Sequence, residues 1–199
     1  MKLSSFYCII LPISIIVFAA CGESHAVKTT NSIEDSITDS LTISTLEDRQ
    51  DKFPNWLKNT SLLENNILLS NYELDNRMNP SFLEADFNGD KLMDIVISIR
   101  NNSDGKLGYA IIHQGSRDVF IIGAGNTIKN ELSDNMDYID KWSINTEEVN
   151  EPGLNEEGDF DPNGPLILKT PSLSIEKTEV GGGLIYWNGK EYAYFHQTC

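Results

Sequence analysis

The chain has 199 residues, 30 of them acidic and 15 basic, for a formal net charge of −15. A field of that sign repels nucleic acid and anionic lipid, so neither DNA nor RNA is expected as a partner. Three cysteines, at positions 8, 21 and 199, are too few and too scattered to read as a disulfide framework.

The chain opens on Lys2 and then runs apolar from Phe6 to Ala20. A spanning helix needs about 20 apolar residues, so this run reads as an export signal rather than an anchor. Ala19 and Ala20 come directly before Cys21 and Gly22. The junction resembles the lipobox of bacterial lipoproteins, with Phe18 where that family prefers Leu. The resemblance implies that residues 1–20 are a lipoprotein signal peptide and that Cys21 is the lipidated first residue of the mature protein, open to palmitate labelling. Each buried methylene of the lipid adds about 0.8 kcal/mol to membrane affinity, so the membrane is an expected partner. Gly22, in place of the Asp that marks inner-membrane retention, implies an envelope protein of the outer membrane in a Gram-negative host. Cys8 leaves with the signal, and Cys199 then remains as the single free thiol.

Residues 21–52 are polar and acidic, without a sustained apolar period, and read as a flexible tether. Residues 53–199 are expected to form a single globular domain. Pro54–Ser70 is expected to hold a short helix, with Ser61 and Glu64 at capping-box spacing. Leu92–Ile99 reads LMDIVISI, a strand rich in branched residues. Leu107–His113 and Val119–Ile122 read as strands joined by a turn over Gln114–Asp118. Trp142–Ile144, Leu166–Leu168 and Ser172–Ile175 are weaker strands. Residues 145–165 carry seven acidic residues, no basic one, and several Gly and Pro breaks, which predicts a long loop. Leu184–Trp187 and Lys190–His196 flank Asn188-Gly189, the signature of a hairpin with a two-residue turn. The fold class expected is α+β or mainly β, a single domain built on an antiparallel sheet with a C-terminal hairpin.

One motif carries chemistry. Asp86–Asp94 reads DFNGDKLMD, with oxygen-bearing side chains at Asp86, Asn88, Asp90 and Asp94 and a backbone carbonyl to offer at Leu92. Calcium takes six to eight such oxygens, and a set without His or Cys argues against zinc. Asp86–Ile99 resembles the calcium loop of FG-GAP and VCBS repeats, an Asp-rich loop leading straight into an apolar strand. The resemblance implies calcium as a cofactor held by Asp86, Asn88, Asp90, Leu92 and Asp94. The sixth position, usually glycine in a left-handed conformation, is Lys91. The twelfth is Ile97, where an EF-hand has Glu. The alternative is a metal-free Asp/Asn turn held by side-chain-to-backbone bonds. Glu156–Gly164 is acidic but lacks the spacing of a second copy, and one blade cannot close a propeller. The chain also resembles small lipoproteins with one such loop and a C-terminal YWNGK hairpin, which supplies no activity.

No GxSxG, HExxH or Cys-His pattern occurs. His25 lies in the tether; His113 and His196 lie at strand ends. Gly123–Asn126 reads as a turn, and Gly181–Gly183 as a place of close strand approach. Trp187, Tyr192 and Tyr194 crowd the hairpin, as a ligand surface for a protein or glycan partner if they face outward, or as core packing if they face inward. The sequence favours a membrane-anchored, non-enzymatic binding or interaction domain with a calcium-stapled Asp loop. The alternative is a small envelope hydrolase using His113 or His196 as base.

Overall fold

The apolar stretch that follows the Asp loop becomes the middle of the fold because both of its faces are covered. The structure, a computed structural model, describes residues 52–58, 70–128, 132–154 and 164–197. The signal peptide, Cys21, most of the tether, the Ser61 and Glu64 pair, most of the second acidic run and Cys199 lie outside the described residues. Among the described residues one helical turn, α1 (Asn55–Lys58), precedes eleven strands: β1 (Tyr72–Leu74), β2 (Phe82–Ala85), β3 (Asp94–Asn101), β4 (Leu107–Ile112), β5 (Val119–Gly123), β6 (Lys141–Asn145), β7 (Val149–Asn150), β8 (Leu166–Ile167), β9 (Ser172–Lys177), β10 (Gly181–Trp187) and β11 (Tyr192–Gln197). This is the mainly β form of the expected class: one domain of antiparallel sheets with a C-terminal hairpin. No helix among the described residues is long and apolar enough to cross a membrane.

Two sheets carry the domain. The first runs β1-β3-β4-β5, with β2 also paired to β3; the second runs β11-β10-β9-β6. Side chains alternate along each strand, so β2, β3, β4 and β5 of the first sheet each serve two clusters. Val96, Tyr109, Ile111 and Ile122 face Trp142, Leu173, Ile175, Ile185 and Tyr192 of the second sheet. Ile95, Ile97, Ile99, Ala110 and Ile112 face the other way, against Phe53 and Leu57 around α1. Burying an aliphatic side chain of this size contributes about 1.5–3 kcal/mol, so a strand buried on both faces can dispense with polar alternation. This is why IVISI is apolar but for Ser98, whose hydroxyl is satisfied by Asp75 Oδ2 at 2.9 Å.

Within the expected loop 145–165, the described residues Val149–Asn150 form one strand of a ribbon. β7 pairs with β8 through Val149↔Ile167 and Asn150↔Leu166. Buried Asn150 holds the ribbon by donating to the carbonyls of Glu147 and Leu166 at 3.0 and 3.4 Å. The terminal hairpin forms, but its turn is shifted by one residue. Asn188 N donates to Glu191 O at 3.1 Å. The central pair is therefore Gly189-Lys190, with positive φ (95°) at Gly189 alone. Glycine at the first central position marks a type II′ turn. Asn188 sits before the turn, and its Oδ1 accepts from the Lys190 and Glu191 amides, both at 3.0 Å. Gly182 and Gly183 are places of close approach, as expected: a Cβ there would meet Ile175 O at 2.0 Å and Phe195 O at 2.3 Å.

Candidate functional site

The Asp loop joins β2 to β3 and lies at the first sheet's end nearest the β4–β5 turn. Its side chains fold back onto its own backbone. The two oxygens of Asp86 accept from Gly89 N at 2.7 Å and from Lys91 N at 2.9 Å. Asn88 Oδ1 accepts from Asp90 N at 2.9 Å, and Asp90 Oδ1 from Leu92 N at 2.8 Å. Asn88 Nδ2 donates to Asp90 Oδ2 at 3.1 Å. Lys91 has φ 68°, the left-handed conformation that glycine takes at this position in the calcium loops the sequence resembles. Holding that conformation costs a side-chain-bearing residue about 1 kcal/mol or more.

Asp94 belongs to a different environment. It is fully buried, whereas Asp90 is exposed. Its Oδ2 accepts from Phe87 N at 3.1 Å and Asn88 N at 3.3 Å, and its Oδ1 accepts from Gln114 N at 3.0 Å. Burial raises its carboxyl above the ordinary carboxylate value, while the Gln114 amide and the nearby His113 oppose that shift. Asp94 thus ties three segments together: the loop, the start of β3 and the turn after β4.

Gln114 and Gly115 were not singled out from the sequence, yet they complete this arrangement. Gln114 Oε1 accepts from Met93 N at 3.2 Å, closing the other side of the turn. A Cβ at Gly115 would lie 2.7 Å from Asp90 Oδ2, so the absence of one lets the turn lie against the loop. A glutamine and a glycine after a strand are too common to signal this role.

A cation held at this loop would use these residues. Asp86, Asn88 and Asp90 supply carboxylate and amide oxygens on the exposed side. A carboxylate oxygen that accepts one hydrogen bond keeps a lone pair for a metal. Among the described residues no group of three or more His, Cys, Asp or Glu is drawn together as a metal-holding set. The donor types are those calcium takes, and in this structure the side chains rest on backbone amides instead.

His113 is buried at the end of β4, and its Nε2 lies 2.8 Å from Tyr192 Oη. Phe120, Trp187 and Tyr192 surround the imidazole with ring centroids at 4.8, 5.1 and 5.8 Å. His196 stands on β11, exposed, with Nδ1 3.4 Å from Tyr194 Oη. The two histidines thus have separate partners.

The hairpin aromatics divide. Tyr192 is buried between the sheets and Tyr194 packs half-buried against the same cluster, so the inward arrangement describes both. Burial raises both phenols, that of Tyr194 to about 12. Trp187 is half-buried on that cluster and also lines a groove of about 450 Å³ with Asn88, Ile167, Lys169, Thr170 and Tyr186. The groove lies within the usual range of small-ligand sites, about 300–1,000 Å³, and one of its walls is the Asp loop. No family model matches the chain, and no curated protein or solved structure matches it.

Proposed function

We propose that the chain is a membrane-anchored envelope lipoprotein of the outer membrane whose domain binds a protein or glycan partner, with its Asp loop stapled by calcium. The anchor is the lipid on Cys21 after removal of residues 1–20. Asp86, Asn88, Asp90 and Asp94 hold the ion, and the Leu92 carbonyl completes the set. The observation that carries the reading is Lys91 at φ 68°: the backbone takes the turn that such a loop needs, at the position where the sequence lacks the residue that takes it freely. The groove that Trp187 and Asn88 share gives the partner a place beside the ion, and Lys169 and Thr170 offer it polar contacts. The domain acts by binding rather than catalysis, since His113 is enclosed by rings and His196 stands apart from it.

Two measurements test this. A cation that binds only the folded chain stabilises it by mass action, about 2.7 kcal/mol at a hundredfold excess over its dissociation constant. Calcium should therefore raise the melting temperature by several degrees, and magnesium by less because it demands tighter octahedral geometry. Identical melting curves in calcium and in chelator would remove the staple. Cys21→Ala should abolish palmitate incorporation and processing; wild-type labelling of that variant would remove the anchor.

A further inference from the structure

Three of the four outer edges of the two sheets lie against other chain. β1 and β2 follow one another along the same edge of β3, and β2 borders β6, where Trp142 Nε1 donates to Pro80 O at 3.0 Å. The β11 edge is occupied by residues 151–153: Gly153 N donates to His196 O, and Gln197 Nε2 to Glu151 O, both at 3.0 Å. β5 is different. His113 N donates to Asp118 O at 3.0 Å and Ala124 N to Leu107 O at 2.9 Å, which fixes the phase of the β4–β5 ladder. With the register Ile111↔Phe120 and Tyr109↔Ile122, the peptide groups of Phe120 and Ile122 turn inward to β4. Those of Val119 and Ile121 turn outward, and they find no partner among the described residues. Gly123 O is closed by Asn126 N at 2.9 Å, so the open window ends there.

Unpaired strand edges are templates for another strand, and proteins commonly guard them with charge, Pro or a bulge. Val119-Phe120-Ile121 has none of these. Its side chains are β-favouring and half-buried on both faces. We infer that the β5 edge, Val119–Ile121, pairs antiparallel with the same edge of a second copy of this chain about a twofold axis at Phe120.

The register favours a self-partner. The window holds two donors and two acceptors placed symmetrically about Phe120. A twofold pair sets Val119 against Ile121 of the second copy and uses all of these groups, leaving none over. Phe120 meets its own counterpart, where two rings gain contact beyond their buried area. Asp118 falls opposite Ile122 and Arg117 opposite Gly123, so no like charges stand directly across the pair. The whole-chain charge of −15 opposes association at long range, and salt screens that repulsion. The dimer should therefore tighten as salt rises.

Sedimentation of the full chain in a non-ionic detergent, with reductant to prevent disulfides, should give a monomer–dimer equilibrium that shifts to dimer with concentration and with salt. In the same samples the amides of Val119 and Ile121 should exchange with solvent fast when dilute and slowly when concentrated. The amides of Phe120 and Ile122 should be protected throughout. Ile121→Pro removes an outward donor and leaves the β4 ladder intact. It deletes two hydrogen bonds per dimer and should weaken association about thirtyfold. A wild-type chain that stays monomeric at every concentration overturns the proposal. So does a dimer in which the Val119 and Ile121 amides stay unprotected, a readout that does not depend on whether the proline variant folds.

Discussion

Asp90 and Asp94 sit four residues apart in one loop and are the same amino acid, but the fold gives them opposite tasks. Asp90 is exposed, and its carboxylate accepts one backbone amide from Leu92 within its own turn. Asp94 is buried and accepts three, from Phe87, Asn88 and Gln114, two of which lie on its own loop and one on the next turn. Ligand spacing alone treats the two as equivalent. Burial separates a residue whose only task would be the ion from one that the fold itself also requires.

The largest expected effect follows from that division. Asp94→Ala leaves three amides without their acceptor, the one at Phe87 in a buried setting. Each buried unsatisfied group costs about 1–3 kcal/mol, so a loss of about 3–5 kcal/mol is expected in chemical denaturation of the metal-free chain, and the calcium-dependent gain should go with it. Asp90→Ala should cost about 1 kcal/mol or less without metal, because water can replace its exposed bonds from Leu92 N and Asn88 Nδ2. It should instead abolish the calcium-dependent rise in melting temperature, about 2.7 kcal/mol at a hundredfold excess of ion. If Asp90→Ala destabilises the metal-free chain as much as Asp94→Ala does, the two carboxylates are not divided as described.

Lys91→Gly should sharpen the comparison by a smaller amount. It removes a left-handed side-chain-bearing residue, worth about 1 kcal/mol, and a positive charge beside the proposed ion. Part of the gain is lost to the greater freedom of glycine in the unfolded chain. Calorimetric titration should therefore show tighter calcium binding, with little change in metal-free stability. Unchanged affinity would mean that neither the turn nor the charge at residue 91 limits the ion.

Much of the fold was readable because the strands that matter are buried on one or both faces. β3, β4 and β5 appear as apolar runs, and β10–β11 as a hairpin around Gly189. β1, β2 and β7 were missed: they are two to four residues long, and Glu73, Glu84 and Asn150 interrupt any apolar signal. Their register comes from pairing with longer strands, which no local pattern encodes. The hairpin turn slipped by one position because Asn188 and Gly189 both suit positive φ, and only the Asn188–Glu191 bond shows which residues lie at the centre. The Asp loop was legible as a motif, but not its division of labour. Asp94 owes its role to Gln114, twenty residues away in sequence. The inward facing of Tyr192 and Tyr194 was hidden for a similar reason. Alternation says that Tyr192 and Tyr194 share a face, and only the second sheet's packing partner says that this face is inside.

The smallest effect concerns an exposed carboxylate far from the loop, and it serves as a contrast to Asp94. Asp140 precedes β6 and reaches the β9–β10 turn. Its Oδ2 accepts from Lys177 Nζ at 2.8 Å, and its Oδ1 from Thr178 N at 2.8 Å and Thr178 Oγ1 at 2.9 Å. The Lys177 ammonium, followed by the Thr178 amide, lowers its carboxyl to about 2. An unfolded Asp titrates near 3.9, roughly, so the folded state holds the charged form more tightly. A lowered value contributes stability that is complete above the unfolded value and disappears as pH falls through the folded one. The window for Asp140 is therefore from about 4 down to about 2. Wild type should melt slightly above Asp140→Asn at neutral pH. The gap should stay constant down to about pH 4, then close toward pH 2, as the charge that Lys177 and Thr178 recognise is neutralised. A gap that persists undiminished at pH 2 would show that the Asp140 contacts act by shape and not by charge. Asp94 should differ in sign: burial raises its carboxyl, so the charged form is the costly one, and acid relieves that cost while it weakens the three amide bonds.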